Sequence, residues 1–228
     1  MDVPLVIAVN GSPRRRGNTA KVLGAVLEGA AGQGARTQLV HLDNLRFRGC
    51  ASCFACKLRD GRSPGRCALR DDASELINRV LDADALVLGS PIYFQGVTGM
   101  MCSFLERLLF PLYSYRREVG SLLGRDLPTA FVYTMNVDRA SMERQGYRTS
   151  LEPMERVVAS VLGSCRALRV CDTLQFSDYS RYESGVFDGG RKRRVREEQF
   201  PRDLACAAEL GGELVHEALA CATPRRGR

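Results

Sequence analysis

Short apolar runs alternate with longer stretches of helical periodicity along most of the chain. Residues 4–9 (PLVIAV) form a continuous run rich in β-branched side chains, the pattern of a strand buried on both faces. Asn10-Gly11-Ser12-Pro13 ends it. From Asn18 onward Ala20, Val22, Leu23, Val26, Leu27 and Ala30 recur at helical spacing, and Gly32 or Gly34 closes the segment as glycine does just past a helix. The alternation continues with strands expected at 37–42, 85–89, 128–134 and 167–174. Helices are expected at 72–81, at 97–109, at 151–162 with Ser150 as N-cap and Gly163 as stop, and from near Pro201 with Leu204, Ala207, Ala208, Leu214, Val215 and Ala218 as its apolar positions. Met100, Met101, Phe104, Leu105 and Leu108 make an apolar stripe on the 97–109 helix, which reads as core.

Strands alternating with helices point to a parallel α/β sheet with helices on both faces. Five strands and about five helices use nearly the whole chain, with no repeat or low-complexity linker between them. The expectation is one doubly wound domain over residues 1–222, followed by a basic tail at 223–228.

Composition narrows the class. The 228 residues are 45% hydrophobic and 26% charged, which is ordinary for a globular protein and excludes a disordered or collagen-like chain. No apolar run approaches the roughly 18 residues needed to span a bilayer. Met1 leads straight into the first strand without a basic region and long apolar stretch, so no secretory signal is expected and the chain is read as cytoplasmic. The net charge of +7 favours anionic ligands such as phosphates.

In open parallel sheets ligands bind beyond the carboxyl ends of the strands. After the first strand comes Gly11-Ser12-Pro13-Arg14-Arg15-Arg16-Gly17-Asn18-Thr19, a loop of small residues, hydroxyls and guanidinium groups running into a helix N-terminus. That combination supplies what a phosphate needs: backbone N–H donors that approach closely, hydroxyl donors and a helix dipole. An ordinary polar turn with an N-cap is the competing reading. The loop is neither a Walker loop nor a dinucleotide fingerprint, since no Gly-Lys-Thr/Ser follows and Gly11 and Gly17 do not fit G-x-G-x-x-G. A mononucleotide phosphate fits better. After the third strand, Ser90-Pro91-Ile92-Tyr93-Phe94-Gln95-Gly96 joins two adjacent aromatics to a turn, suited to lie along a flat heterocycle or simply to pack on the sheet.

Four of the nine cysteines, Cys50, Cys53, Cys56 and Cys67, crowd into one stretch, while Cys102, Cys165, Cys171, Cys206 and Cys221 are scattered and read as inert. An odd count in a reducing compartment argues against a disulfide framework. The spacing C-x2-C-x2-C-x10-C supplies four thiolates, the first three as in ferredoxin-type loops; zinc is a poorer match because its sites usually show two separated pairs. The residues leave open a [4Fe–4S] cluster or metal-free thiols, packed or redox-active. The run Arg191-Lys192-Arg193-Arg194, with Arg196 beyond, reads as a solvated loop or subunit-interface patch. Nucleic acid and the extra phosphate of NADPH are its alternatives, but no aromatic platform interleaves the basic residues and no nucleic-acid partner is expected. His41 and His216 fall too far apart in this layout to act together, and no catalytic side chain is assigned.

Three features together carry a family resemblance: GSPRRRGNT at 11–19, the cysteine group followed by Asp71-Asp72, and GSPIYFQGVTGMMCSFLER at 89–107. With Gln175-Phe176-Ser177-Asp178-Tyr179-Ser180-Arg181-Tyr182 and Phe200-Pro201-Arg202-Asp203-Leu204, the chain resembles the flavodoxin-like NAD(P)H-dependent FMN reductases over residues 4–215. The similarity is to their cysteine-bearing branch, which includes the iron–sulfur flavoproteins. The resemblance implies a sheet of order 2-1-3-4-5 and a bound FMN. Ser12, Arg14, Gly17, Asn18 and Thr19 would then hold the phosphate, and Pro91, Ile92, Tyr93, Phe94, Gln95 and Gly96 would line the ribityl chain and ring. The third family loop, usually glycine-rich, is here Thr134-Met135-Asn136-Val137, so Thr134 and Asn136 would stand at the flavin's other face. Cys50, Cys53, Cys56 and Cys67 would be the cluster ligands, although the family's last gap is shorter than this one, which holds Asp60-Gly61-Arg62-Ser63-Pro64-Gly65. The implied activity is transfer of hydride from NAD(P)H to a quinone, nitro, azo or flavin acceptor by a homodimer or homotetramer. A flavodoxin-type electron carrier is the alternative, and the positive charge speaks against it.

Overall fold

The computed structural model describes residues 3–60, 65–116 and 119–222. The expected basic tail at 223–228 and most of the insertion at 61–64 lie outside the described residues. Five parallel strands form one sheet: β1 (Leu5–Asn10), β2 (Arg36–His41), β3 (Ala85–Pro91), β4 (Thr129–Thr134) and β5 (Arg166–Val170), in the order β2-β1-β3-β4-β5. The expected order is therefore the observed one. The chain moves outward from β1 to β2 and returns across β1 to β3, so strand order reverses between β1 and β3.

Seven helices flank the sheet among the described residues: α1 (Asn18–Gly32), α2 (Asp72–Asp82), α3 (Gly99–Leu112), α4 (Arg139–Arg144), α5 (Tyr147–Leu162), α6 (Gly189–Glu198) and α7 (Phe200–Ala222). Alternation along each strand separates two cores. Ile7, Val9, Leu86, Leu88, Phe131 and Tyr133 pack under α2, α3 and α5. Val6, Ala8, Ala85, Val87, Ala130 and Val132 face α1 and α7. Small side chains on that second face let α1 settle close to the sheet: a Cβ on Gly89 would stand 2.5 Å from the Leu23 side chain. The two helices also touch through backbone, since a Cβ on Gly29 would fall 1.9 Å from the Ala208 carbonyl and one on Gly211 1.9 Å from that of Val26.

Three expectations need correction. The helix expected at 151–162 starts at Tyr147, with Gly146 at φ +71° before it, so Ser150 is inside its first turn and does not cap it. Its hydroxyl instead donates to Gln95 Oε1. The strand expected at 167–174 ends at Val170, because Asp172 adopts a left-handed φ of +56° and the backbone turns to bond Val137 and Met135. The basic run is helical, not a solvated loop: it forms α6, and Lys192 is buried at 4% exposure against Asp172. A helix dominated by arginine carries no apolar periodicity to announce it.

Candidate functional site

At the carboxyl edge of the sheet, beside the β1/β3 reversal, lies a cleft of about 530 Å³. Its floor comes from the loop after β1. The Asn10 carboxamide Oδ1 accepts the Ser12 N–H, and the Ser12 Oγ accepts the Arg14 N–H. The Asn10 amide nitrogen lies 2.8 Å from His41 Nδ1; burial, followed by the nearby Arg15 charge, holds that imidazole below its usual range against the opposing Asp43. Gly11 cannot carry a side chain without pressing on Met101, 3.0 Å from where its Cβ would be. Gly17 precedes α1 with no side-chain cap on the helix. Among the described residues no side chain thus caps the first-turn N–H groups of this 15-residue helix, as at anion sites.

The β3 loop makes one wall. Thr98 donates its hydroxyl to the Gly11 carbonyl and accepts the Met101 N–H, tying the start of α3 to the first loop. Tyr93 and Gly96 exchange two backbone hydrogen bonds around Phe94 at φ +50° and Gln95 at φ +64°. Positive φ at both central residues defines a tight type I′ turn, made here without glycine or asparagine and therefore strained. The turn holds Phe94 fully exposed.

The other wall is built from the β4 loop and the segment after β5. Thr134 Oγ1 lies 2.7 Å from Thr19 Oγ1, both buried. Asn136 donates its amide to Gln175 Oε1, while its own Oδ1 is buried at the cleft surface without a partner among the described residues. Arg14 and Asn18 reach across to the backbone carbonyls of Gln175 and Leu174, each at 2.8 Å. Of the expected flavin-site residues, Ser12, Arg14, Gly17, Asn18, Thr19, Pro91, Ile92, Tyr93, Thr134 and Asn136 line this one cleft. Phe94, Gln95 and Gly96 form the turn outside the lining. The sequence reading assigned no role there to Thr173, Leu174, Gln175, Phe176 or Arg196, which also line it. Only the Gln175-Phe176 similarity marked that region.

The cysteine loop is anchored elsewhere, along the C-terminal half of α3. Glu106 accepts the Cys50 N–H, and the Lys57 ammonium bonds the carbonyls of Phe110, Pro111 and Tyr113 at the end of the helix. Arg107, whose side chain is fully buried, pairs with Asp71 at 2.7 Å and donates through Nε to Cys67 Sγ at 3.0 Å. Cys50 and Cys53 are exposed and Cys56 is buried, where burial pushes its thiol up against the pull of Lys57. Among the described residues no three His, Cys, Asp or Glu side chains gather so as to hold a metal ion. Cys67 and Cys50 stand near enough to Cys56 for their charges to push its thiol up further. Among the described residues no helix is long and apolar enough to cross a membrane.

The family model for NADPH-dependent FMN reductase matches residues 4–142. An iron–sulfur flavoprotein of Archaeoglobus fulgidus is 35% identical over 103 residues, covering 45% of this chain and 44% of that protein. Another, from Methanocaldococcus jannaschii, is 33% identical over 122 residues, covering 52% of this chain and 60% of that protein. The chain thus spans about half the length of the curated relatives it matches. Among solved structures, an NAD(P)H:quinone oxidoreductase from Methanothermobacter marburgensis covers 93% of this chain and 100% of its own at TM-score 0.67 and 16% identity. An azoreductase from Bacillus anthracis covers 92% and 100% at TM-score 0.66 and 12% identity. At these identities the two structures speak for the fold.

Proposed function

The chain belongs to the NADPH-dependent FMN reductase family, and we propose that it is an FMN-dependent oxidoreductase that oxidises NAD(P)H and reduces a small acceptor of quinone, nitro, azo or flavin type. The observation that carries this reading is the coincidence, in one cleft, of an uncapped α1 N-terminus, buried hydroxyls and the unpartnered Asn136 Oδ1. FMN bound there supplies the capacity to accept a hydride and to pass electrons on. Ser12 and Thr19 would offer hydroxyls to its phosphate, and the Asn18, Thr19 and Ala20 amides the helix dipole. Asn136 Oδ1 would take a hydrogen bond from a polar group of the flavin. Pro91, Ile92 and Tyr93 would shield one face of the ring from water, with Phe94 and Gln95 at the open rim.

The relatives described as iron–sulfur flavoproteins support a flavin in this chain as well, and the fold neighbours described as quinone and azo reductases support the acceptor class. Cys50, Cys53, Cys56 and Cys67 would be the thiols available to a cluster of the kind those relatives' names describe, and the activity is derived without one. We further propose a cytoplasmic homodimer or homotetramer, in which a second copy covers the exposed Tyr93 and Phe94 beside the cleft.

Absorbance spectra of the protein purified without added flavin test the reading, together with anaerobic mixing against NADH and NADPH. Flavin bands near one equivalent per chain, bleached by one of the two nucleotides, are expected. Their loss in the Arg14→Ala/Thr19→Ala double variant is expected too. Protein that retains no flavin, or a double variant with unchanged stoichiometry, would refute the assignment.

A further inference from the structure

The basic run of α6 has a use at the cleft. Lys192 and Arg196 are four residues apart and share one face of this helix. Lys192, 4% exposed, pairs with Asp172 Oδ1 at 2.5 Å and bonds the Asn136 carbonyl, and Arg191 adds a second contact to Asp172 at 2.9 Å. These contacts seat α6 on the β4 and β5 exits. One turn later the Arg196 side chain enters the cleft lining. Its guanidinium lies 3.8 Å from the centroid of the buried Phe200 ring, and its Nη1 is 3.4 Å from Oδ1 of Asn18, the first residue of α1.

Arg14, Arg16 and Lys21 also line the cleft, but they are exposed to solvent. Arg196 is half-buried, and burial lowers its pKa from the ordinary value. Among the described residues no carboxylate forms an ion pair with it; the stack on Phe200 and the long bond to Asn18 are its contacts. A desolvated cation beside an uncapped helix N-terminus is unfavourable until an anion arrives, and then both donate to it. The ring stack fixes the guanidinium in advance, so little side-chain freedom is lost on binding.

We propose that Arg196 is a phosphate-contacting residue delivered from α6, and that it makes the cleft select a phosphorylated flavin over the unphosphorylated one. This rests on the FMN reading and adds a contact from a helix outside the matched stretch at 4–142. A lost charge-assisted contact predicts that Arg196→Gln weakens FMN by about tenfold to a hundredfold. Riboflavin, which lacks the phosphate, should change by no more than about twofold.

The test is fluorescence titration of the full-length protein, stripped of flavin, with FMN and with riboflavin. The variants are Arg196→Gln, Arg196→Lys and Arg193→Gln; Arg193 is an exposed arginine of the same helix that lines no part of the cleft. Preference for FMN should collapse in Arg196→Gln, recover in part in Arg196→Lys and persist in Arg193→Gln. Equal weakening of FMN and riboflavin would show a merely structural residue and overturn the proposal. So would equal weakening of FMN by Arg193→Gln, which would mean a general field. A wild-type protein that binds FMN, with Arg196→Gln unchanged, defeats this inference alone. A wild-type protein that binds neither flavin defeats the FMN reading with it.

Discussion

Thr19 Oγ1 and Thr134 Oγ1 lie 2.7 Å apart in the interior, joining the first turn of α1 to the last residue of β4. The contact reaches from the first turn of the helix after β1 to the end of the strand beyond β3, and so ties the two sides of the cleft together at its base. Replacing Thr134 by Val leaves the Thr19 hydroxyl buried without its partner, at an expected loss of about 1–3 kcal/mol. Removing both hydroxyls in Thr19→Val/Thr134→Val should cost less than the sum of the single changes. Urea unfolding of the four proteins in a double-mutant cycle measures the coupling; strict additivity would mean that the hydroxyls do not interact.

Asp71 and Arg107 form the ion pair that seats the cysteine loop on α3. Burial raises the Asp71 carboxyl, but hydrogen bonds from Arg107 and its charge outweigh that and hold it below 3.8. A folded-state value below the unfolded one means that the unfolded chain takes up the proton first as acid is added. The stabilisation is therefore complete above about pH 5 and fades as the pH falls through 3.8 toward the folded value. Asp71→Asn keeps the shape and leaves the buried guanidinium unpaired, at a loss on the order of 3 kcal/mol at neutral pH. Midpoints of urea unfolding between pH 3 and 6 should slope less in Asp71→Asn than in the parent, and parallel slopes would contradict the assignment.

The glycines of α1 and α7 separate packing from propensity. Alanine in place of glycine in a helix ordinarily gains up to about 1 kcal/mol. Gly24 follows that rule in prospect, since nothing lies within 4 Å of its added Cβ. Gly211→Ala should reverse the sign and destabilise by about 1–3 kcal/mol, because its Cβ would meet the Val26 carbonyl at 1.9 Å and force the helices apart. Since α1 carries its uncapped end into the cleft, Gly211→Ala should also weaken flavin retention, whereas Gly24→Ala should not. Thermal melts and flavin stoichiometry of the two variants decide the matter.

The centre of the sheet was legible because β1, β3 and β4 are short apolar or β-branched runs, and α1 because its apolar positions keep helical spacing. The first loop was legible as the turn that opens α1, because Gly11, Ser12, Gly17 and Thr19 are residue types whose backbone and hydroxyls suit a helix N-terminus. The place of Arg196 in the cleft could not be read. Its role depends on a buried Lys192–Asp172 pair and on Asp172 taking a left-handed turn, and neither long-range pairing nor a single aspartate's φ leaves a periodic trace. The start of α5 was lost likewise, since Tyr-Arg-Thr-Ser has no apolar stripe and its helix is set by Gly146 and the Gln95 contact.

The cysteines and the cleft are held by different parts of α3, which separates their fates. Residues around Cys50 and Cys56 bond Glu106, Phe110, Pro111 and Tyr113, and Cys67 bonds Arg107, none of them in the cleft lining except through the rest of the fold. The start of α3 is instead tied to the first loop by Thr98. Cys53 is exposed and lines no part of the cleft among the described residues. Cys53→Ser should therefore keep the parent's flavin content and FMN affinity within about twofold. Flavin content and iron content, measured on the same oxygen-free preparations, check this. Any iron held by the loop falls in the variant while the flavin stays. Joint loss of flavin would show that the loop supports the cleft and would overturn the separation drawn from α3.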